Sequence, residues 1–307
     1  MISNFYLLNR SFKFPEGIAI KELEEKIFNL SDNYSFMKDN SEKIFVHESI
    51  YDEEIYPDLS LCDFLYNMTV KTELSRDVKI YLSKIIDHSS RTDKEIVEII
   101  DLLERHNEES IYGLLCLHEI DDIDDKYLVY SRHDWFEFHR YFLGLYPVSE
   151  IHFYNEAQKY FQNIYFHNRI VDSLNSIDGG IKNFSKTIIY SLSKLDSVFV
   201  HLYQDAKSLG SVNIVDILNI FSIKCGIETT LEGDLRRKND LTFDFVYNDQ
   251  YGIKCSEKVC CDPHLKLSKS DNSPGDSNFY FNRIYFHPGK DYLYECRVLI
   301  GHIGRHL

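Results

Sequence analysis

Asp262-Pro263-His264-Leu265-Lys266-Leu267, Asn282-Arg283-Ile284-Tyr285-Phe286-His287 and Arg297-Val298-Leu299-Ile300-Gly301-His302-Ile303-Gly304-Arg305-His306-Leu307 fall in the last part of the sequence. In the first two, apolar and polar residues alternate, which is the period of a half-buried strand. Leu265 and Leu267 then point into a core while His264 and Lys266 share the other face. Ile284 and Phe286 likewise oppose Arg283, Tyr285 and His287. In the third stretch His302 follows the Val298 face, and Gly301 and Gly304 are positions where a strand can bend and re-aim His302, Arg305 and His306.

Working outward, the period of two begins after Lys224. Thr242–Tyr247 and Tyr251–Cys255 flank Asn248-Asp249-Gln250 as a hairpin, and Val259–Leu267, Phe279–Phe286 and Tyr294–Ile303 read as three more strands. Upstream the period is 3–4. Asp77–Asp87, Lys94–His106, Asp134–Leu145, Ser149–Phe161, Asn183–Leu195, Asp196–Ser208 and Asn213–Phe221 all read as helices, with Gly179-Gly180 and Gly210-Ser211 as turns. Tyr112–Leu117 is an apolar run of ambiguous type. The expected fold class is α+β, with a mostly helical N-terminal portion and a C-terminal antiparallel β-sheet domain. The expected domains are a mixed α/β segment over 1–70, a helical acidic region over 71–212 and a β-rich domain over 213–307.

The chain has 307 residues, 44% of them hydrophobic, enough for a large core. Its formal net charge is −15. Residues 222–307 carry equal numbers of acidic and basic side chains, so the excess negative charge lies upstream of them. That distribution fits either a solvated acidic surface or an acidic portion that restrains a nucleic-acid-binding end. Seven cysteines at irregular spacing, with no signal-peptide pattern, lead us to expect reduced thiols and a cytoplasmic protein without membrane contact. Cys255, Cys260, Cys261 and His264 lack the paired spacing of a zinc site, so no metal and no cofactor is expected. Phosphate-loop, dinucleotide-loop and serine-nucleophile motifs do not occur.

His, Lys and Arg on neighbouring strands are the side chains needed to cleave RNA by attack of a 2′-hydroxyl on its own 3′-phosphate. Histidine can take and give the protons, and Lys and Arg can hold the phosphate. The expected catalytic set is His264, Lys266, Arg283, Tyr285, His287 and His302, with Lys269, Arg305 and His306 contacting RNA. Tyr280, Phe281, Tyr285 and Phe286 are candidates for stacking on bases.

The stretch from the helix near 213 to Leu307 resembles RelE-like and barnase-like ribonuclease toxins, through the Arg283-Ile284-Tyr285-Phe286 strand and the Val298-Leu299-Ile300 strand after a short turn. The resemblance implies a metal-independent endoribonuclease acting as a toxin or anti-phage effector on tRNA or mRNA, restrained by a partner protein or by the acidic portion. The alternative from another class is a non-catalytic protein–protein interaction module. Arg132 and His139, six residues apart and thus on one helix face, are similar to the Arg-x(4–6)-His signature of HEPN ribonucleases. His133 stands where that signature more often has a small polar residue. In that second enzymatic reading Arg132 would hold phosphate and His139 would move a proton.

Overall fold

The computed structural model describes residues 1–67, 69, 72–210, 212–232, 235–248, 251–267, 271 and 281–307. The chain forms two compact units, Met1–His139 and Arg140–Leu307. The fold is α+β, with strands more concentrated in the C-terminal half. The expected boundary between 212 and 213 falls inside the second unit, just before the helix Ile214–Cys225.

The first portion is not mostly helical. Strands β1 (Ile2–Leu7), β2 (Lys43–His47), β5 (Ser90–Thr92), β6 (Ser110–Leu115) and β7 (Leu128–Val129) form a sheet in the order β5-β2-β1-β6-β7. Every pairing in it is parallel. A small hairpin, β3 (Glu54–Tyr56) with β4 (Leu59–Ser60), lies apart. A parallel sheet is covered on both faces, so its strands read as continuous apolar runs rather than alternations. Phe5, Tyr6, Leu7, Leu114 and Leu115 are all buried. That pattern hides a strand from a search for period two. The ambiguous run at Tyr112–Leu117 therefore overlaps β6 over 112–115, and β1 gave no alternating signal at all. Gly113 is needed at the centre of this sheet: a Cβ there would lie 2.6 Å from the Phe5 ring and 2.8 Å from the Phe138 ring.

The helix Ile20–Asp39 packs Leu23, Ile27, Leu30, Tyr34 and Met37 inward, one residue per turn. The carboxylate of Glu42, itself buried, accepts hydrogen bonds from Trp135 Nε1 at 3.1 Å, His139 Nε2 at 2.8 Å and the Ser3 hydroxyl. A buried charge persists when it is this fully partnered.

In the second unit, β8 (Ile164–Phe166), β9 (Thr229–Thr230), β12 (His264–Lys266), β13 (Asn282–His287) and β14 (Val298–Arg305) form a mixed sheet in the order β8-β14-β13-β12-β9. Only β8 runs parallel to its neighbour. Leu265, Ile284 and Ile303 form one row, and Phe286 on the same face meets Phe199 edge-on at 5.0 Å. The other face is covered by a hairpin, β10 (Thr242–Asn248) with β11 (Lys254–Cys260). Between them lies a core of Leu241, Phe245, Val259, Cys261, Tyr285, Leu293 and Leu299. The expected single strand Val259–Leu267 is thus two strands in two sheets. The break falls at Asp262-Pro263, where proline has no N–H to donate.

β8 is held by a buried ion pair. Arg140 Nη2 lies 2.5 Å from Asp196 Oδ2, Arg140 also donates to the Tyr160 carbonyl, and Asp196 Oδ1 accepts from the Asn163 N–H at 2.8 Å. No helix among the described residues is long and apolar enough to cross a membrane.

Candidate active-site cleft

The register of the C-terminal sheet brings most of the expected residues onto one face. Thr230, His264, Tyr285 and His302 form one cross-strand row, and Lys266, Arg283 and Gly304 the next. The His264 ring lies 5.0 Å from Tyr285, and Tyr285 lies 5.9 Å from His302 and 6.2 Å from His306. The face is nevertheless not open. His264 is 4% exposed, Arg283 7% and Tyr285 0%. The hairpin β10–β11 packs Phe245 and Val259 with Tyr285, while His264 lies against Thr230 and the His306 ring and Arg283 lies near Glu228 and Glu232, cover that alternation alone could not reveal.

His264 is also fully engaged. Its Nε2 accepts from the Thr230 hydroxyl at 2.9 Å, and Nδ1 faces the Asp262 carbonyl at 3.4 Å. Burial, with Arg283 nearby, pushes its pKa down to about 4. Lys266 is tied to Glu228. Arg283 donates to the carbonyl of Asn282. These residues are engaged with neighbours within the sheet and its flanking segments.

His287 is separated from His302 by a bulge. The register steps from Tyr285↔His302 to Phe286↔Ile300, leaving Gly301 as the extra residue. A Cβ on Gly301 would lie 2.5 Å from the Phe243 ring and 2.9 Å from Cys261 Sγ, so the bulge is set by close packing of the hairpin. His287 Nδ1 accepts from the Gly289 N–H, and burial lowers its pKa to about 4.

An open cleft lies beside the covered face. β8 ends at Phe166 while β14 runs on, and the helix Ile170–Leu174 with its following turn takes over the edge. Ser173 Oγ accepts from the Ile303 N–H at 3.1 Å, and Ser176 Oγ from the Arg305 N–H at 3.0 Å. The mismatch leaves a cavity of about 640 Å³ whose lining includes His167, Arg169, Asp172, Asp244, His302, Arg305 and His306.

Its three imidazoles differ. His167 Nε2 donates to the Asp244 carbonyl at 3.2 Å and its Nδ1 accepts from the Arg169 N–H at 3.3 Å, so both nitrogens are used. His306 lies between Arg237 Nη1, 2.7 Å from its Nδ1, and Glu232 Oε2, 3.4 Å from its Nε2. Burial, then Arg237 and Arg283, lowers its pKa. His302 Nε2 faces the Arg305 carbonyl at 2.8 Å. A carbonyl only accepts, so the proton sits on Nε2, and Nδ1 is a lone-pair acceptor with no partner among the described residues. Burial pushes this imidazole down to about 4, keeping it neutral near pH 7. Arg169 pairs with Asp172 at 3.1 Å on the exposed rim, and the Arg305 guanidinium lies 5.9 Å from the Phe281 ring centre.

Of the expected residues, the cleft gathers His302, Arg305 and His306, while Tyr285 packs beneath them. His167, Arg169, Glu232 and Arg237 were not expected. A signal for His167 exists: the tetrapeptide Ile-Tyr-Phe-His occurs at 164–167 and at 284–287. The two copies fall on the strands that flank β14. Lys269 and Tyr280 lie outside the described residues. Arg132 and His139 do share one helix, but His139 is 3% exposed and bound to Glu42, and Arg132 lies over the Phe36 ring. The substrate access that the HEPN-like reading needs is missing at His139.

Among the described residues, no group of three or more His, Cys, Asp and Glu is placed to hold a metal ion. Comparison with protein families, curated proteins and solved structures finds no match to the chain.

Proposed function

We propose that the cleft beside β14 cleaves RNA, with His302 as general base and Arg169 and Arg305 on the phosphate. The observation that carries this reading is the His302 ring. One nitrogen is fixed by a backbone carbonyl, the other is an acceptor with no partner among the described residues, and the residue lines a cavity rimmed by two guanidinium groups. A base must be unprotonated and oriented before substrate arrives. Arginine binds the two oxygens of a phosphate in a fixed fork.

In the proposed step, His302 Nδ1 takes the proton of a ribose 2′-hydroxyl. The 2′-oxygen bonds to the adjacent phosphorus, the bond from phosphorus to the 5′-oxygen breaks, and a 2′,3′-cyclic phosphate remains. The proton held by His302 is then available to the departing 5′-oxygen, so the step balances without redox chemistry. In a cell this activity would act as a toxin or an anti-phage effector.

The test is incubation of the full chain with single-stranded RNA in excess EDTA, with products resolved by mass. The expected product carries a 2′,3′-cyclic phosphate. Loss of His302 as a base costs about 10²–10⁴ in rate, so His302→Gln should be close to inactive, and Arg169→Ala and Arg305→Ala, on the exposed rim, should be strongly impaired. Absence of cleavage by the folded wild-type chain would remove the enzymatic reading and favour a binding module.

A further inference from the structure

The first unit carries a second cavity, of about 750 Å³, lined by His47, Glu48, Tyr51, Arg91, Thr92, Asp93 and Glu95. Its place in the fold is informative. His47 and Thr92 are the last residues of the adjacent parallel strands β2 and β5 and stand opposite each other. Glu48 and Tyr51 belong to the 3-10 turn Glu48–Asp52 that follows β2, and Asp93 and Glu95 precede the helix Ile96–Leu103. Open parallel sheets take their ligands beyond the carboxyl ends of the strands, and an acidic residue after the second strand is the usual acceptor for ribose hydroxyls.

The centre of the sheet is partly capped, with a smaller cavity of about 330 Å³ beside Cys116 and Leu117. The turn Asn9–Phe12 sits over the ends of β1 and β6: the Ser11 carbonyl accepts from the His118 N–H, Ser11 Oγ accepts from the Leu117 N–H, and Arg10 grips Asp122 with two hydrogen bonds. The larger space lies to one side, over β2 and β5.

The side chains there are poised and unspent. Glu48 and Asp93 make no hydrogen bond or ion pair among the described residues. His47 Nδ1 accepts from the Ser49 N–H at 3.2 Å and pairs with the Ser49 hydroxyl at 2.7 Å, which puts the ring proton on an unpartnered Nε2. Arg91 donates to the Tyr51 hydroxyl at 2.6 Å and lies over the Tyr51 ring at 5.2 Å, leaving the outer face of its guanidinium plane uncovered by that ring. The adjoining helix N-terminus is already satisfied by its own Glu95–Glu98 capping box.

We propose that this cavity binds a ribonucleoside, with the ribose cis-diol donating to Glu48 and Asp93 and the base lying on the Arg91 plane. Carboxylates recognise vicinal hydroxyls because each accepts a charge-assisted hydrogen bond. Guanidinium planes stack on bases. Three carboxylates against one guanidinium repel a polyphosphate, and the capped helix offers it no free N–H groups.

The test is calorimetric titration of the full chain with adenosine, guanosine, cytidine and uridine in turn, then with the 2′-deoxy form of whichever binds, its triphosphate, and free ribose. At least one ribonucleoside should bind. Its 2′-deoxy form should bind about tenfold or more weakly, and the triphosphate should bind no more tightly than the nucleoside. Glu48→Gln and Arg91→Ala, both exposed, should each weaken binding by a similar factor without shifting the thermal melt. The proposal fails if no ribonucleoside binds, if the deoxy form binds equally well, if Glu48→Gln changes nothing, or if free ribose matches the nucleoside.

Discussion

Acidifying the solution from pH 7 to pH 4.5 perturbs the candidate cleft and its floor at chosen atoms. His264 and His302 are buried, and burial holds both pKa values near 4, against 6.5 for an unburied imidazole. The unfolded chain therefore binds these protons first, at pH 6.5, whereas the folded chain resists them until pH 4. Stability from this source is complete above pH 6.5 and is lost as pH falls toward 4. Each pKa unit is worth about 1.4 kcal/mol, so each of these two residues withdraws about 3 kcal/mol over that window. Together they withdraw about 6 kcal/mol, comparable to the whole stability of an ordinary domain. His287 adds in the same direction. The first unit has one comparable group, His118, also held near 4 by burial.

Equilibrium urea unfolding at pH 7.5, 6.5, 5.5 and 4.5 reads this out. Trp135, the single tryptophan, belongs to the first unit, so its fluorescence follows that unit while far-UV circular dichroism follows both. The second unit should lose stability at a slope approaching about 4 kcal/mol per pH unit near pH 5, three protons' worth from His264, His287 and His302. His302→Gln should remove one proton from the slope, leaving about two thirds. The reasoning is refuted if the variant and the wild type lose the same stability between pH 7.5 and 4.5, or if the His302 ring titrates near 6.5 by NMR. The same shift fixes the rate profile: RNA cleavage should stay flat from pH 8 down to about 5, where an unburied imidazole would already have lost most of its base form.

Four shorter predictions follow from the same contacts. Gly304→Ala would place a Cβ 2.2 Å from the Ser173 carbonyl and 2.3 Å from Ser176 Oγ; overpacking of this kind costs about 1–3 kcal/mol, measurable as a lower urea midpoint. Lys266→Met breaks a half-exposed pair with Glu228 and should change stability by less than about 1 kcal/mol, with RNA cleavage unaltered in a gel assay. Glu42→Ala strands Trp135 Nε1 and His139 Nε2 in the interior, and should cost about 3–5 kcal/mol in Trp-detected unfolding. Arg237→Met removes the donor to His306 Nδ1 and should raise that imidazole's pKa, seen as a shift of its NMR titration to higher pH.

What the sequence disclosed depended on period. The strands β10, β12 and β13 alternate, and their presence and the shared face of His264, Arg283 and Tyr285 could be read directly, whereas His302 was expected on the Val298 face and the bulge at Gly301 turns it to the opposite one. β1, β6 and β8 could not, for a physical reason: Phe5-Tyr6-Leu7 is buried on both sides, and in Ile164-Tyr165-Phe166 the apolar side chains face both sides of the sheet, so neither shows alternation. Missing β8 meant missing His167 and Arg169, hence half the cleft. The opposite error came from the polar face itself. His264, Arg283 and Tyr285 alternate as solvent-facing residues do, yet a separate hairpin packs on Tyr285 and the segments around Glu228–Glu232 and His306 lie against the other two, and nothing local to those strands announces it. Helix propensity likewise dominated the reading of 71–129, where two short parallel strands and β6 lie between helices.

The bulge at Gly301 links the two halves of the functional argument. Without an extra residue there, strict alternation would carry the Leu299 side onward to Gly301 and Ile303, and His302 would face the helices beneath the sheet with Ile300. The extra residue reverses the parity, so Leu299 joins the core under the hairpin while His302, further along the same strand, also faces the hairpin side and reaches the cleft. The absence of a side chain at 301 lets the Phe243 ring approach, and Phe243 in turn lines the cleft. At 304 the missing side chain admits Ser173 and Ser176, whose hydroxyls hold the strand edge where β8 has ended. One bulge and two glycines thus give a covered structural sheet an open end, and place there a histidine whose Nδ1, without a partner among the described residues, is the nitrogen able to accept a proton.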